Sequence, residues 1–400
     1  MRAFRRAAFS RPDKALTTAA PSASAATSGR IPLAIPDLRG NEALYLQQCV
    51  ADNWVSSAGP AVTALEARMA ELTGRRFAVA TVNGTAALHL ALRVAGVGAG
   101  ARVVVPDYTF AATANAVLAA GAVPHFVDVT AESWTLDPAL LAQVLGDGRD
   151  GIAAVMAVHV LGQPADMDPI RDLCARHGVV LIEDAAGAIG ARYRGQPAGG
   201  LSDAACFSFN GNKTVTAGGG GVMVTDNEDW AARARALSTQ SRAGGAYRYV
   251  EAGFNYRMPN VNAALGLAQL ERLEEMVAAK RAIAARYDAA VAGRDDLAPM
   301  PRTGWAESSC WLYSVRCADR DAAASLVTAL DRAGIEARVF WEALSDQAPY
   351  AAFPHTLAGT AARLSGTVVS LPCSSHLAAD EQARVIAALA AWRGRPVAPL

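Results

Sequence analysis

The chain has 400 residues, of which 52% are hydrophobic, and this is enough to bury the cores of one large domain and a smaller one. Its 37 basic residues balance its 37 acidic residues, so no basic surface argues for a nucleic-acid partner. No uninterrupted apolar run could span a bilayer, which argues against a membrane partner. The six cysteines form no Cys-x-x-Cys pair. We therefore expect no metal site, no disulfide framework and a reducing, cytoplasmic location.

The first 30 residues differ in composition from the rest of the chain. They are rich in Ala, Ser, Thr and Arg, and Asp13 is their only acidic residue. This composition resembles a transit peptide, but so little large apolar surface is more typical of a disordered tail. We expect residues 1–30 to form such a tail, residues 31–260 a large domain, and residues 261–400 a long helix with a smaller domain.

Strand patterns alternate with helix patterns in the first half of the chain. Seven apolar runs are strand candidates: Phe77–Val82, Arg102–Val105, His125–Val127, Ile152–Val158, Val179–Ile182, Ala205–Phe209 and Gly221–Val224. Helical patterns lie between the first five of them: Thr85–Ala95, Ala111–Ala120, Pro138–Leu145 and Pro169–His177. The alternation predicts an α/β fold, in which a mostly parallel seven-stranded sheet is covered by helices on both faces.

The C-terminal part predicts a smaller α+β domain. A long helix over Val261–Ala289 leads into it. Strand, helix, strand and helix patterns then follow in this order: Trp311–Arg316, Ala322–Ala333, Ala337–Trp341 and Glu381–Trp392.

An aspartate and a lysine at the predicted sheet edge are the most informative residues of the chain. Asp184 lies at the carboxyl end of a buried strand, and Lys213 lies on a later loop, just before glycines 218–221. Such a lysine can form a Schiff base with pyridoxal 5'-phosphate (PLP), while the aspartate pairs with the protonated nitrogen of the pyridine ring. The alternative is a solvated lysine in a turn, together with an aspartate that caps a helix.

Two nucleotide-binding motifs are excluded at the same loop. A P-loop places glycines before its Gly-Lys-Ser/Thr triplet, whereas Asn212 precedes Lys213 and the glycines follow it. The glycine run is not a dinucleotide fingerprint either, since Met223 stands where the last glycine would be.

Two further strand ends carry candidate residues. Gly84 and Thr85 open a predicted helix directly after a strand. The free N–H groups and the dipole of such a helix start suit a phosphate, and an ordinary turn with an N-cap is the alternative. His159 follows another buried strand, and we interpret it as structural rather than catalytic.

Several separate motifs, taken in order, resemble one family. They are Ile31-Pro-Leu-Ala-Ile-Pro36, Asn53-Trp-Val-Ser-Ser-Ala-Gly59, Asn83-Gly-Thr-Ala-Ala-Leu88, Asp107-Tyr-Thr-Phe-Ala-Ala-Thr113, Glu183-Asp-Ala-Ala186, Phe207-Ser-Phe-Asn-Gly-Asn-Lys213 and Gly253-Phe-Asn-Tyr-Arg257. From about Ile31 to Arg393 the chain resembles the DegT-type PLP-dependent sugar aminotransferases, which have the aspartate aminotransferase fold, PLP fold type I. The motifs that contain Trp54 and Lys213 look closest to the branch acting on UDP-linked 4-keto-6-deoxy-N-acetylhexosamines, which makes bacillosamine and legionaminic acid precursors.

The resemblance implies a set of cofactor contacts. Phe110 would stack on the pyridine ring; an ordinary core phenylalanine is the alternative, and Tyr108 is the neighbouring candidate for stacking. Ser208 would donate its hydroxyl to the phosphate. The full set of implied PLP contacts is Gly84, Thr85, Phe110, Asp184, Ser208, Lys213 and Asn255.

The resemblance also implies a homodimer with shared active sites. Asn255 would reach across the two-fold interface to the PLP phosphate of the neighbouring subunit, and Arg257 would act with it on the substrate. Ser56, Ser57 and Gly59 would contact the sugar.

The implied reaction moves an amino group from L-glutamate to the keto carbon, C4, of a nucleotide-linked 4-keto-6-deoxy sugar. One alternative is a PLP-dependent dehydratase of the same family, in which histidine typically replaces the lysine. Another is a non-catalytic sugar-binding or regulatory protein. Lys213 argues against the first, and its pairing with Asp184 argues against the second.

The chain departs from the family pattern at two places. Gly187 stands where the family usually has Gln, His or Glu near the phenolic oxygen of the cofactor. Ser345 and Asp346 stand where the family often has a histidine. Both departures concern contacts around the reacting groups rather than the PLP chemistry itself.

Deleting residues 1–28 should change the melting temperature and the turnover little, because this segment has too little apolar surface to offset the entropy cost of ordering it. Thermal unfolding and activity of the full-length and shortened proteins test this. A marked loss of either would show that the tail docks on the folded part.

Overall fold

The structure is a computed structural model that describes residues 29–146, 151–243 and 247–400. The predicted tail lies outside the described residues, except for Gly29 and Arg30. Within these ranges no helix is both long and apolar enough to cross a membrane. The same ranges contain no cluster of three or more His, Cys, Asp or Glu side chains that could hold a metal ion.

The main sheet contains the seven predicted strands and one more. The strands are β1 Phe77–Thr81, β2 Arg102–Pro106, β3 Val123–Val127, β4 Ile152–Val158, β5 Val180–Asp184, β6 Ala204–Ser208, β7 Gly221–Thr225 and β8 His355–Thr356. Their order across the sheet is β1-β7-β6-β5-β4-β2-β3-β8. All neighbours are parallel except at β7, which is antiparallel to β1 and β6. The mostly parallel α/β sheet is therefore confirmed.

The eighth strand comes from the C-terminal part of the chain. It joins the edge of the sheet through backbone hydrogen bonds between β3 and the segment around His355–Thr356. Two residues are too few for a side-chain alternation, so no sequence pattern could predict this strand.

Twelve helices occur in the described ranges: Glu42–Ala51, Pro60–Thr73, Gly84–Val94, Ala112–Ala119, Pro138–Gly146, Met167–His177, Glu228–Ser238, Asn260–Leu270, Leu273–Val291, Arg320–Arg332, Thr360–Leu364 and Ala379–Ala391. Single 3-10 turns are at Val160–Gly162 and Leu344–Asp346.

Helices cover both faces of the main sheet, because successive strand residues point to opposite sides. On β2, Val103 and Val105 belong to one core, which also contains helix Gly84–Val94. Val104 belongs to the opposite core, which contains helix Met167–His177. The strand β2 is thus buried on both faces by apolar side chains.

The predicted long helix over Val261–Ala289 is wrong in one respect, since the structure has two helices that break after Leu270. Arg272 lies between them, and its guanidinium binds Asp37 at 3.1 Å and Glu275 at 2.7 Å. Asp37 is buried, and Arg39 binds it as well. The break therefore places Arg272 where it can pair with the distant Asp37, and helix periodicity gives no sign of such a long-range contact.

A second, four-stranded antiparallel sheet lies in the C-terminal part. Its order is Ala298–Pro299, Tyr313–Arg316, Val368–Leu371, Arg338–Val339. The predicted strand Ala337–Trp341 is reduced to two residues. Three more short strands, Arg192–Tyr193, Gln196–Pro197 and Ala306–Glu307, form a small sheet, and Arg242–Ala243 pairs with Arg248–Tyr249.

Ile31 pairs with the C-terminal part of the chain. It forms a parallel bridge with Ile335, and it belongs to the core around the C-terminal sheet. We therefore propose that the first residues of the range 31–260 belong structurally to the smaller C-terminal unit.

Candidate active site

A cavity of about 290 Å³ opens at the carboxyl ends of the central strands. The last residues of β4, β5 and β6, which are Val158, Asp184 and Ser208, all line it. The cavity brings together six of the residues that the sequence predicts as cofactor contacts: Gly84, Thr85, Phe110, Asp184, Ser208 and Lys213.

Lys213 is an unusual residue in this chain, which has three lysines among its 37 basic residues, the others being Lys14 and Lys280. A backbone hydrogen bond of 3.0 Å from its N–H to the carbonyl of Asn210 closes the turn that carries it. Burial lowers the pKa of Lys213 to about 7, and the charge of Asp184 acts in the opposite direction. Near neutral pH a substantial fraction of its amine is therefore unprotonated and nucleophilic.

Asp184 is held by the chain around it. Thr113 donates its hydroxyl to Oδ2 at 2.7 Å, and the N–H of Ala186 donates to Oδ1 at 3.1 Å. Burial raises the pKa of the Asp184 carboxyl, while these hydrogen bonds and the charge of Lys213 favour the ionised form. A cationic group in the cavity would stabilise this carboxylate further.

The neighbouring Glu183 points to the other side of the strand. It is fully buried and accepts hydrogen bonds from His159, from the N–H groups of Gly199 and Leu201, and from the hydroxyl of Ser202. These bonds outweigh the effect of burial and lower its pKa.

His159 lines the cavity, but both of its ring nitrogens are occupied. Nδ1 accepts the N–H of Ala165 at 3.1 Å, so Nε2 carries the proton that it donates to Glu183 at 2.9 Å. This geometry supports the structural interpretation of His159.

The start of helix Gly84–Val94 forms a cradle for an anion. Asn83 caps the helix by accepting the N–H of Ala86 at 2.8 Å, and the N–H groups of Gly84 and Thr85 belong to the first turn, which has no acceptor within the helix. A Cβ on Gly84 would lie 2.9 Å from the Cβ of Ser208. The close approach of the helix start to the Ser208 hydroxyl therefore requires glycine at position 84.

A second glycine, Gly221, brings the strand after the lysine loop against the same helix start. A Cβ there would lie 2.4 Å from the carbonyl oxygen of Asn83. At least one residue of the glycine run is thus needed for close packing beside the cradle.

Phe110 is 60% exposed and lines the cavity near Trp341, with 6.5 Å between ring centroids. The alternative of a core phenylalanine is therefore wrong. Tyr108, the other stacking candidate, is fully buried, and its hydroxyl donates to the carbonyl of Phe340 at 2.6 Å. Of the two aromatic side chains, Phe110 is the one available to a ligand.

The predicted substrate contacts do not line the cavity of their own chain. Ser56 and Ser57 are exposed, and Gly59 precedes helix Pro60–Thr73 against the side chain of Asn260. Arg257 is bound internally to Glu66. A substrate contact by Arg257 within one chain is thus not supported by its position.

Asn255 is exposed and also lies outside the cavity. The residues on either side of it, Phe254 and Tyr256, stack on each other with 4.9 Å between centroids, and both contact the ring of His89. This inward aromatic cluster leaves Asn255 directed outward.

Both departures from the family pattern have a structural counterpart. Ser345 caps Asp107, to which its N–H and hydroxyl donate at 2.7 and 2.9 Å. Gly187 faces the indole of Trp311, which sequence analysis did not predict as a site residue. No local signal marks Trp311, since it is distant from Lys213 in the chain and sits in an ordinary strand pattern.

The fold and the site together define a PLP-dependent enzyme of fold type I. The model of the DegT/DnrJ/EryC1/StrS aminotransferase family matches residues 36–390, and the chain belongs to this family. It is 38% identical over 367 residues to the GDP-perosamine synthase of Caulobacter vibrioides, covering 90% of this chain and 97% of that protein. It is also 38% identical to the putative pyridoxal phosphate-dependent aminotransferase EpsN of Bacillus subtilis, covering 90% and 95%.

Among solved structures, the PLP form of the putative sugar aminotransferase Spr1654 from Streptococcus pneumoniae superposes with a TM-score of 0.84. It is 26% identical, and the match covers 90% of this chain and 97% of that one. The chain is accordingly a sugar aminotransferase, and PLP is its cofactor.

The residues of the cavity fit PLP. A buried carboxylate suits the protonated ring nitrogen, the glycine-lined helix start suits the phosphate, and a lysine of low pKa faces the same space. Asp184, Gly84, Thr85, Ser208 and Lys213 are the residues that would hold it.

In the apoprotein, Lys213 should titrate near pH 7, well below the ordinary lysine value of about 10.4. Labelling lysine Cε with carbon-13 gives three signals, of which Lys213→Ala removes one. The assigned Cε shift, followed against pH, measures the pKa directly. A midpoint of Lys213 above pH 9 would contradict the burial described above.

Proposed function

We propose that the enzyme transfers an amino group from L-glutamate to the C4 keto carbon of a nucleotide-linked 4-keto-6-deoxy sugar. The observation that carries this proposal is the convergence of Lys213, Asp184 and the Gly84 cradle in one cavity of a sugar aminotransferase fold. Such a reaction transfers the amino group from an amino acid to a keto sugar.

The residues of the chain have separate tasks in this reaction. When bound, PLP supplies an electron sink that lowers the cost of removing a proton from the carbon that bears the amino group. Lys213, with its pKa of about 7, would remove a proton from the carbon of L-glutamate that bears the amino group in one half-reaction and would add a proton to C4 of the sugar in the other. Asp184 keeps the ring nitrogen protonated through its negative charge. Phe110 and Trp341 supply apolar walls that exclude water.

Two nucleotides are candidates for the sugar substrate. The names of the relatives from Caulobacter vibrioides and Vibrio cholerae point to a GDP-linked sugar, and the first match extends over 90% of this chain. The motifs that contain Trp54 and Lys213 resemble the UDP-N-acetylhexosamine branch. We propose the GDP-linked sugar as the first candidate, because the full-length similarity involves many more residues than the short motifs.

We also propose a homodimer that shares its active sites. Two segments of the chain, residues 44–55 and 247–249, carry exposed apolar side chains. They include Leu44, Trp54 and Val55 on the first segment and Tyr247 and Tyr249 on the second. The same two segments adjoin the predicted sugar contacts and Asn255. A second copy covering this surface would bury the apolar groups and bring Asn255 to the neighbouring cavity.

The location that we propose is the cytoplasm. All six cysteines fall in the described part of the chain, where each is buried as a free thiol. Free thiols are typical of a reducing compartment.

Purified protein with PLP and L-glutamate should aminate a GDP-linked 4-keto-6-deoxyhexose, with release of 2-oxoglutarate and a matching mass change of the sugar nucleotide. The UDP-linked N-acetylhexosamine counterpart, assayed in parallel, decides between the two nucleotides by kcat/KM. Lys213→Ala is the control and should show no turnover. Efficient amination of a free 2-oxo acid, with no keto sugar nucleotide accepted, would refute the proposed substrate class.

Two inactive variants, Lys213→Ala and Asn255→Ala, should complement each other under subunit exchange. If Asn255 acts in the neighbouring site, one site of the mixed dimer carries both changes and the other carries neither, so each mixed dimer should regain about half of the wild-type activity. Mixed dimers that form but stay inactive, from parents that are each fully inactive, would rule out the shared site.

A further inference from the structure

Trp311 fills a space that exists only because residue 187 is glycine. A Cβ built on Gly187 would lie 2.5 Å from Cε3 of Trp311 and 3.2 Å from Cδ2. Gly187 is not among the glycines of positive φ, so its backbone does not require glycine. The requirement is therefore spatial, and the indole occupies the side of the cavity toward which a side chain at position 187 would extend.

Hydrogen bonds fix Trp311 through both its indole nitrogen and its backbone. Its Nε1 donates to the carbonyl of Asn212, the residue before Lys213, at 2.8 Å. Its backbone carbonyl accepts Nζ of the buried Lys280 at 3.2 Å and Sγ of Cys373 at 3.3 Å. Trp311 is only 6% exposed, so its ring has little freedom to move.

Lys213 rests on the face of this ring, with Nζ 3.3 Å from the centroid. The Lys213 amine forms no hydrogen bond with any residue of the described ranges, and its direct contact there is with the indole face, while the charge of Asp184 also attracts it. The ring attracts the ammonium form through its π electrons. It offers no lone pair that would bind the amine strongly, which leaves the nitrogen free to attack.

We propose that Trp311 is the positioning residue for Lys213: its indole face holds the amine in the cavity, its N–H fixes the loop at Asn212, and Gly187 provides the space. The proposal rests on Lys213 being the residue that binds PLP.

The first test is made on the apoprotein with labelled lysine, so that it does not depend on substrate or activity. Protons attached to Cε of Lys213 should be shifted upfield by the ring current in the wild type. Trp311→Leu should abolish this shift, whereas Trp311→Phe should retain part of it. Trp341→Leu is the matched control, because Trp341 lines the same cavity and its ring does not hold Lys213.

The second readout is the rate at which apoprotein binds PLP covalently, followed by absorbance. Loss of the indole in Trp311→Leu should slow this rate about tenfold, within the range of a buried cation–π contact. Trp311→Phe keeps an aromatic face but loses the bond to Asn212, and it should show a smaller reduction.

The third test uses the steric pairing of Gly187 with Trp311. Gly187→Ala should displace the indole, lower the melting temperature by overpacking and reduce the Lys213 shift. In the double variant Gly187→Ala/Trp311→Leu, the added methyl has room, so the change in melting temperature should be less than the sum of the single changes.

Three outcomes would overturn the proposal. They are an unchanged Lys213 shift in Trp311→Leu, an unchanged rate of PLP capture in that variant, or strictly additive effects in the double variant. If Trp311→Leu fails to fold, Trp311→Phe and Gly187→Ala still decide the matter through the Lys213 shift. If the apoprotein results are as expected but no keto sugar nucleotide is aminated, only the proposed substrate class is refuted, because the apoprotein measurements involve no substrate.

Discussion

The site depends on two neighbouring carboxylates that are buried at the end of one strand, Glu183 and Asp184. Because successive strand residues face opposite sides, the two acids meet different surroundings. Glu183 is satisfied by four donors of its own chain, and its pKa is lowered. Asp184 has fewer donors, and burial raises its pKa. Glu183 is satisfied within the fold, whereas the ionised form of Asp184 would be stabilised by a cationic group in the cavity, such as the protonated ring nitrogen of PLP.

The same parallel sheet explains why the remaining groups converge. Strands β4, β5 and β6 end at one edge, so residues far apart in the chain face a common cavity. The antiparallel β7 then returns the chain past this edge, and Gly221 lets it pass close to Asn83. Lys213 lies on the connection between β6 and β7, and this connection therefore places it opposite Asp184 and the phosphate cradle.

The second contribution to the cavity comes from the C-terminal unit. Trp311, Phe340 and Trp341 form a wall that the main sheet does not supply. Residues of the main sheet edge, such as Tyr108 and Val158, belong to the same core as the C-terminal sheet. Packing between the two parts therefore fixes the apolar wall relative to the strand ends.

The sequence alone predicted the mostly parallel sheet and the PLP cofactor, and it proposed the residues that would hold this cofactor. Strand and helix periodicity, the strand-end Asp184, the Lys213 loop and the helix start at Gly84 are local patterns, and local patterns survive in the sequence. Sequence patterns missed the helix break after Leu270 and the short strand β8. The break depends on an ion pair, and the strand on edge pairing, between distant segments of the chain.

Only the tertiary structure decided which side chains share the cavity. It excluded Tyr108, fixed His159 on Glu183, directed Arg257 to Glu66, and put Trp311 against Gly187 and Lys213. The physical reason is the same in each case. A charge, a ring or a methyl group acts over a few ångströms in space, and the sequence records neighbours along the chain but not neighbours across a packed core.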